Sequence, residues 1–293
     1  MSPKIKIFGY RGPFNATERI EKELVGLGCI LSDTPDYVIH TTGLYEDSEE
    51  FCAKLSYKPR KLYILLDIDE DKPDFDEFYK NAKKHLEGAD VVCAISDVVR
   101  TQMREILGIT KSIEIVRYPI RPLTIINKPW EERSLEFLCV GRINTKNKRI
   151  KLLYDFANQN NIPLSKFYFA GNEKPPFGNW FQSPNDEQLS EIYSESKFVL
   201  SPSSFEGLGL TPIEGLLNSC IPMVCKDNPV IYELGLDAFA TDPTPLGLWS
   251  LYSIMKANPE YYLNNEDLKG RFRAEFDVKN IAKRILRLLK GEY

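Results

Sequence analysis

Two glutamate side chains stand eight positions apart near the middle of the chain, Glu206 and Glu214, with a glycine-rich loop between them. Gly207 and Gly209 allow the backbone to turn tightly there and to approach a ligand without side-chain interference. Thr211 is predicted as a helix N-cap, because a proline follows it and a glutamate stands three positions on. Such a loop presents free N–H groups and the positive end of a helix dipole, and both favour binding of a phosphate.

The elements around this loop position both carboxylates. An apolar run at residues 198–200 predicts a buried strand, which the serine and proline cluster at 201–204 ends. One carboxylate therefore follows a strand and the other lies in the first turn of a helix, so that both face a shared cleft. Each also has a structural alternative, Glu214 as the carboxylate of a capping box and Glu206 as an ordinary loop residue.

The stretch from Glu206 to Glu214 resembles the E-x-F-G-(x)4-E signature of retaining GT-B glycosyltransferases of the family-4 type, with Leu208 at the usual phenylalanine position. The resemblance covers residues 135–291 well and residues 1–120 only loosely. It implies an α/β protein with the GT-B fold, in which two Rossmann-like, doubly wound parallel-sheet domains face each other across a cleft.

A cationic pattern follows the strand that is predicted at residues 135–140. In the resembling family, a strand that ends in Gly-Arg with a lysine at about this distance downstream supplies two cations to the donor diphosphate. Arg142 and Lys148 match this pattern, and a helix is predicted to follow at 150–156. Arg149 stands where the family usually has glycine, and Lys146 competes with Lys148 as the second cation.

The resemblance implies an enzyme, a hexosyl- or other glycosyltransferase that works with retention of configuration. It implies transfer of a sugar from a nucleotide diphosphate sugar, such as a UDP- or GDP-sugar, to a hydroxyl of a sugar, lipid or protein acceptor. No metal and no cofactor are expected, since cations and backbone N–H groups stabilise the departing diphosphate. The expected catalytic residues are Glu206, Arg142 and Lys148, and the expected donor-binding residues are Glu214, Gly209, Leu210, Thr211 and Gly12.

Apolar strands alternate with helical segments along the chain, which predicts parallel sheets covered by helices on both faces. The predicted organisation has an N-terminal Rossmann-like domain on the acceptor side at residues 1–120 and a proline-containing linker at 121–135. A nucleotide-sugar-binding domain follows at 136–277. The last segment, 278–293, is predicted as an amphipathic helix that crosses back to the N-terminal domain.

Composition narrows the class of protein further. The formal net charge of −4 argues against a general nucleic-acid binder, because no positive field attracts a polyanion. The six cysteines show neither a CxxC nor a zinc pattern, which predicts buried free thiols in a reducing compartment and a cytoplasmic protein. Residues 279–290 are basic and amphipathic, so they either contact an anionic membrane peripherally or pack their apolar face within the protein.

One departure from the family leaves alternatives open. A histidine common in the N-terminal domain of the family is absent from the candidate region at residues 65–69, which reads Leu-Leu-Asp-Ile-Asp. A nucleotide-sugar-binding protein without transferase activity is therefore one alternative. Asp67 and Asp69 provide another, because a D-x-D after an apolar strand is how metal-dependent transferases hold a divalent ion on the diphosphate.

Overall fold

The computed structural model describes residues 2–9, 16–41, 46–66, 68 and 75–292. The chain divides into two compact units, of which the first contains Met1–Ile120 and Ala274–Tyr293 and the second contains Arg121–Arg273. Residues 121–135, predicted as a linker, are part of the second unit, and this unit ends four residues before the predicted boundary at 277. Within the described ranges, each unit contains one six-stranded sheet in which all neighbouring strands are parallel.

The sheet of the first unit has the strand order β2-β1-β3-β4-β5-β6. Its strands are β1 (Lys4–Phe8), β2 (Ile30–Leu31), β3 (Tyr37–His40), β4 (Arg60–Leu65), β5 (Val91–Ala94) and β6 (Ile113–Ile115), and the helices between them are α1 (Ala16–Gly26), α2 (Glu46–Ala53), α3 (Phe75–Gly88) and α4 (Asp97–Glu105). Every residue of β5 is buried, as expected for a parallel strand that is covered on both faces. Helix α4 begins after Ser96, whose hydroxyl accepts a hydrogen bond from the N–H of Val99 at 3.1 Å.

The sheet of the second unit has the strand order β12-β11-β10-β7-β8-β9. Its strands are β7 (Leu135–Val140), β8 (Phe167–Gly171), β9 (Asn179–Gln182), β10 (Ser196–Ser201), β11 (Ile221–Cys225) and β12 (Ala240–Thr241). The helices are α5 (Ile150–Gln159), α6 (Asp186–Glu195), α7 (Leu210–Leu217), α8 (Val230–Glu233), α9 (Pro245–Ala257), α10 (Pro259–Leu263) and α11 (Glu266–Glu275). From β7, the chain adds strands in one direction as far as β9 and then returns to the other side of β7 with β10. Such a reversal marks the place where open α/β sheets bind ligands, at the carboxyl ends of the strands.

Aromatic side chains fill the core beneath this sheet. The ring of Phe137 on β7 lies 4.8 Å from the ring of Phe167 and 5.0 Å from that of Tyr252, measured between centroids. On helix α7, a Cβ atom at Gly215 would lie only 2.9 Å from Cγ2 of Val199 on β10. Helix α7 therefore lies close against β10, which fixes the loop between them.

The C-terminal helix α12 (Val278–Lys290) belongs to the first unit and packs against α1 and β4. Its apolar face is buried by this packing, while the carboxylate of Glu114 pairs with Arg284 at 2.7 Å. The buried residues of the helix are Ile281, Ala282, Ile285, Leu288 and Leu289. The basic side chains that remain exposed are Lys279, Lys283, Arg287 and Lys290. Among the described residues, no helix has the length and hydropathy that a bilayer-crossing segment requires.

The cysteines are all free thiols, as the sequence predicts. Five of them are buried and Cys52 is half-buried. Burial raises the pKa of the Cys139 thiol on β7 far above its ordinary value, so this thiol stays protonated and acts as an apolar core group.

Candidate active site

Two loops meet at the carboxyl edge of the second sheet, at the point where the strand order reverses. Residues 141–149 follow β7 and residues 202–209 follow the neighbouring strand β10. The backbone N–H of Ser204 donates to the carbonyl of Asn147 at 2.9 Å, and the side-chain amide of Asn147 donates to the carbonyl of Phe205 at 3.2 Å. The two loops are therefore held against each other by hydrogen bonds.

Lys148 and Glu206 form an ion pair between these loops. Lys148 ends a short 3-10 turn, Lys146–Lys148, and its side chain is 23% exposed, while that of Glu206 is 21% exposed. Lys146 is exposed and forms no ion pair with any residue that the structure describes. Of the two candidate lysines, the structure therefore brings Lys148 to the glutamate.

Arg142 lies near the start of the same loop, two residues after β7, and is exposed. Its guanidinium forms no ion pair within the described ranges. The next two backbone N–H groups, of Ile143 and Asn144, both donate to one carboxylate oxygen of Glu173, at 2.7 and 2.9 Å. Glu173 thus fixes the loop and leaves the charge of Arg142 available to a ligand. Sequence reasoning missed Glu173, and its position after the neighbouring strand β8 was the only signal.

Helix α7 begins at Leu210, two residues earlier than predicted. Gly209 is the N-cap and has φ 69° and ψ 52°, the left-handed conformation that glycine adopts without steric cost. The prediction of Thr211 as N-cap is therefore wrong, because the left-handed glycine turns the chain into the helix first. Thr211 lies in the first helical turn, and its hydroxyl donates to the carbonyl of Val140 at 3.4 Å.

Glu214 is buried and does not form a capping box, so this structural alternative is also wrong. One of its carboxylate oxygens accepts the backbone N–H of Arg121 at 3.2 Å and lies 3.7 Å from Nε of the same arginine. The other oxygen accepts the hydroxyl of Tyr193 at 3.2 Å. Burial, together with the negative charge of Glu214, raises the pKa of Tyr193 well above its usual value and keeps that hydroxyl a donor.

Arg149 follows Lys148 and adopts φ 49° and ψ 41°, again the left-handed conformation. This conformation gives a physical reason for the glycine that is usual at this position in the resembling family. The guanidinium of Arg149 forms a two-point pair with the carboxylate of Asp227, two residues after β11, with 2.8 Å between Nη1 and Oδ1. Hydrogen bonding to Asp227 raises the pKa of Arg149. Sequence reasoning did not identify Asp227.

Some predicted residues fall outside this set. Gly12, Asp67 and Asp69 lie outside the residues that the structure describes. His40, at the end of β3, is buried, with its ring stacked on Phe8 at 6.2 Å between centroids. No group of three histidine, cysteine, aspartate or glutamate side chains is placed to hold a metal ion within the described ranges.

No protein-family model and no curated protein sequence matches the chain. Solved structures share its fold. HepE from Anabaena, in a complex with UDP and glucose, has a TM-score of 0.77 at 12% identity and matches 99% of this chain and 100% of its own. A glycosyltransferase from Rickettsia africae has a TM-score of 0.73 at 13% identity, with 99% of this chain and 98% of that chain covered.

Sucrose-phosphate synthase from Thermosynechococcus elongatus is similar over 88% of this chain and 73% of its own, with a TM-score of 0.72 at 15% identity. At sequence identities of 12–15%, these similarities show the fold alone. The two six-stranded parallel sheets with flanking helices match those of the similar proteins. The predicted fold class is confirmed: the chain has the GT-B fold, that of the glycosyltransferases that it resembles.

Proposed function

We propose that the protein transfers a glycosyl group from a nucleoside diphosphate sugar to an acceptor hydroxyl. The observation that carries this proposal is the pairing of Lys148 with Glu206 at the reversal of strand order in the second sheet. Arg142 and the N-terminus of α7 lie at the same edge of that sheet. The complex of the similar protein HepE with UDP and glucose supports a donor of this class.

The barrier to this reaction lies largely in the negative charge that develops on the departing diphosphate. Arg142 and Lys148 each donate charge-assisted hydrogen bonds to its oxygens. The backbone N–H groups of Leu210 and Thr211, at the start of α7, add further donors and the positive end of the helix dipole. The backbone donors are held by α7 and Lys148 is held by Glu206, so these groups stabilise the charge with little reorganisation and without a metal.

Glu206 is proposed to hold the donor sugar by accepting hydrogen bonds from its hydroxyls. Its carboxylate lies against Lys148, so a diphosphate bound by that lysine brings the attached sugar next to the glutamate. The negative charge also stabilises an oxocarbenium-like centre at the anomeric carbon. Retention of configuration is part of the proposal, and NMR of the anomeric proton in the product tests it.

Glu214 is proposed to bind the ribose hydroxyls of the donor. Its two carboxylate oxygens are oriented by hydrogen bonds from the backbone N–H of Arg121 and from the hydroxyl of Tyr193. The same contacts hold the carboxylate at the first turns of α7. Glu214 therefore has a structural role in addition to the proposed binding role.

The donor site is tested by thermal shift with UDP, GDP and their sugar conjugates in the presence of EDTA. Ligand at about 100 times its Kd stabilises a protein by about 2.7 kcal/mol, a change that is readily detected. We expect one nucleotide to give this shift and Arg142→Ala and Lys148→Ala to abolish it. Lys151→Ala is the matched control, since Lys151 is a neighbouring surface cation with 84% exposure.

The outcomes separate the competing functions. A shift without sugar transfer to any acceptor would favour a nucleotide-sugar-binding protein. A shift that requires Mn²⁺ or Mg²⁺ and is lost in Asp67→Asn would favour the metal-dependent alternative. The absence of a shift under both conditions would contradict nucleotide-sugar binding altogether.

A further inference from the structure

We propose that Asp227 is a positioning residue for the donor site, because through Arg149 it holds the turn that presents Lys148. The expected effect of Asp227 on donor binding rests on the proposed function. It concerns two residues, Arg149 and Asp227, that are 78 positions apart in the sequence.

Arg149 has a left-handed backbone conformation that depends on its surroundings. The residue links the 3-10 turn that contains Lys148 to helix α5, and its N–H donates to the carbonyl of Lys146 at 3.2 Å. A non-glycine residue is disfavoured at φ 49° and ψ 41°, because its Cβ approaches the backbone carbonyl. Residues in such a conformation persist only where neighbouring groups stabilise it, and they are common at functional sites. The direction of the chain at Lys148 depends on it.

Asp227 supplies the surroundings that hold this conformation. Its two carboxylate oxygens bind the two terminal nitrogens of Arg149, a geometry that fixes the orientation of the planar guanidinium. The loop of Asp227 is itself fixed on both sides. The N–H of Lys226 donates to Thr241 at 2.8 Å, and that of Asn228 donates to Cys225 at 3.2 Å.

The order of the strands gives the pair its effect on the site. Strands β7, β10 and β11 are neighbours in that order, and the loop after β10 carries Glu206. The pair joins the loop after β7 to the loop after β11. Because β10 lies between these two strands, the pair spans the sheet edge from which the loop of Glu206 begins. The side chains of Arg149 and Asp227 are 27% and 40% exposed, so the charge attraction alone contributes little, and the effect of the pair is geometric.

Glycine at position 149 should rescue the loss of Asp227. If Asp227 serves to keep Arg149 in the left-handed conformation, glycine at position 149 makes Asp227 dispensable, because glycine adopts that conformation unaided. Calorimetric titration of the full chain with UDP and with GDP in EDTA measures the affinity. We expect Asp227→Asn and Arg149→Ala each to weaken binding roughly tenfold, the size of a conformational penalty of this kind.

The double variant Arg149→Gly/Asp227→Asn is expected to bind within about threefold of wild type, close to the limit at which independent effects are resolved. Asp155→Asn is the matched control. It removes the carboxylate that pairs with Lys151 on the surface of helix α5, which follows Arg149, and it should leave the affinity unchanged. A double variant as weak as Asp227→Asn would overturn the inference and would mean that Asp227 acts on the donor in another way.

Wild-type protein that binds neither nucleotide would count against the proposed function, and a second readout then decides the inference. In urea unfolding, Asp227→Asn should lower the free energy of unfolding in the wild-type background. When residue 149 is glycine, Asp227→Asn should lower the free energy of unfolding by less than about half of this amount, because the two residues are coupled. Equal losses in the two backgrounds would overturn the inference independently of donor binding.

Discussion

Lys148 and Glu206 are separated by 58 positions in the sequence, and their charged groups form an ion pair between the loops after β7 and β10. The pair joins a cation proposed for the diphosphate to a carboxylate proposed for the sugar. Neighbouring parallel strands bring both loops to the same edge of the sheet, so a donor bound as proposed has the junction of its diphosphate and sugar at this pair.

Removal of Lys148 and removal of Glu206 should affect donor binding differently. Lys148→Ala should lower the affinity for UDP or GDP and reduce turnover by about 100-fold, because it removes the lysine that is proposed to stabilise the leaving group. Glu206→Ala should reduce turnover to a similar extent but leave the affinity for the free nucleoside diphosphate intact, since that ligand lacks the sugar. Calorimetry and a transfer assay measure the two quantities.

Lys146→Ala provides the control for this prediction. The lysine lies in the same 3-10 turn and is exposed. We expect its removal to change affinity and turnover little. A loss as large as that of Lys148→Ala would show that the ion pair does not identify the diphosphate-binding cation.

Glu214→Ala should destabilise the second unit, in addition to any effect on the donor. The change removes a buried carboxylate and leaves the charge of Arg121 and the hydroxyl of Tyr193 without this partner. Breaking a buried charge pair costs about 3–5 kcal/mol, whereas Tyr193→Phe removes one hydrogen bond worth about 1 kcal/mol. Urea unfolding of the two variants measures both losses, and equal losses would contradict the assigned contacts.

Gly215→Ala should destabilise the protein by about 1–3 kcal/mol, the usual cost of an additional methyl group in a packed core. The new Cβ atom would lie 2.9 Å from Cγ2 of Val199 and would push α7 away from β10. Gly270→Ala on helix α11 is the control, because nothing lies within 4 Å of its added Cβ. In thermal unfolding this control should be neutral or stabilising by about 0.5–1 kcal/mol.

Stability should fall in acid partly through Glu136. Burial raises the pKa of this carboxyl, but the hydrogen bond from Tyr252 at 2.5 Å and the charge of Lys256 outweigh it, so the net pKa lies below its usual 4.5. The folded state therefore binds the proton less readily than the unfolded chain. The stabilisation is present above pH 4.5 and is lost as the pH falls through the lower folded value.

Glu136→Gln tests this assignment. Urea unfolding between about pH 5 and pH 3 should show a smaller decrease in the free energy of unfolding for the variant than for wild type. At neutral pH the variant should be the less stable of the two, because it lacks the charged acceptor of Tyr252 and Lys256. Parallel pH profiles would show that Glu136 does not contribute to the acid dependence.

Helix α12 should not insert into membranes, because its apolar face packs against α1 and β4 within the first unit. Its exposed lysines and arginine offer only electrostatic attraction, which physiological salt screens. We therefore expect no co-sedimentation with phosphatidylserine-containing vesicles at 150 mM salt. Binding that persists at this salt concentration and is lost in Lys283→Glu would establish peripheral membrane contact instead.

Local patterns in the sequence predicted parallel α/β sheets and the positions of the loops, and the family resemblance supplied the GT-B fold class. The alternation of apolar strands with helical segments predicted parallel sheets covered by helices, because strand and helix periods depend on near neighbours. The pattern of Gly141 and Arg142 after a strand, with Lys148 downstream, correctly placed these residues in the loop after β7. The spacing of Glu206 and Glu214 likewise placed one in a loop and one in the following helix.

The start of α7 shows where local patterns fail. Thr211, Pro212 and Glu214 together match the residue preferences of an N-cap and a capping box. Gly209 nevertheless starts the helix, because its left-handed conformation and the contact of α7 with β10 set the path of the chain. Glu214 is then buried, and residues 121 and 193 are among its partners.

The sequence by itself determined which residues carry charge, where the strands end and which loops are rich in glycine. Only the tertiary structure decided the partners: Lys148 rather than Lys146 for Glu206, Glu173 for the loop of Arg142, and Asp227 for Arg149. These partners are 30 to 78 positions apart. The order of strands in the sheet brings them together, and no local period or spacing encodes that order.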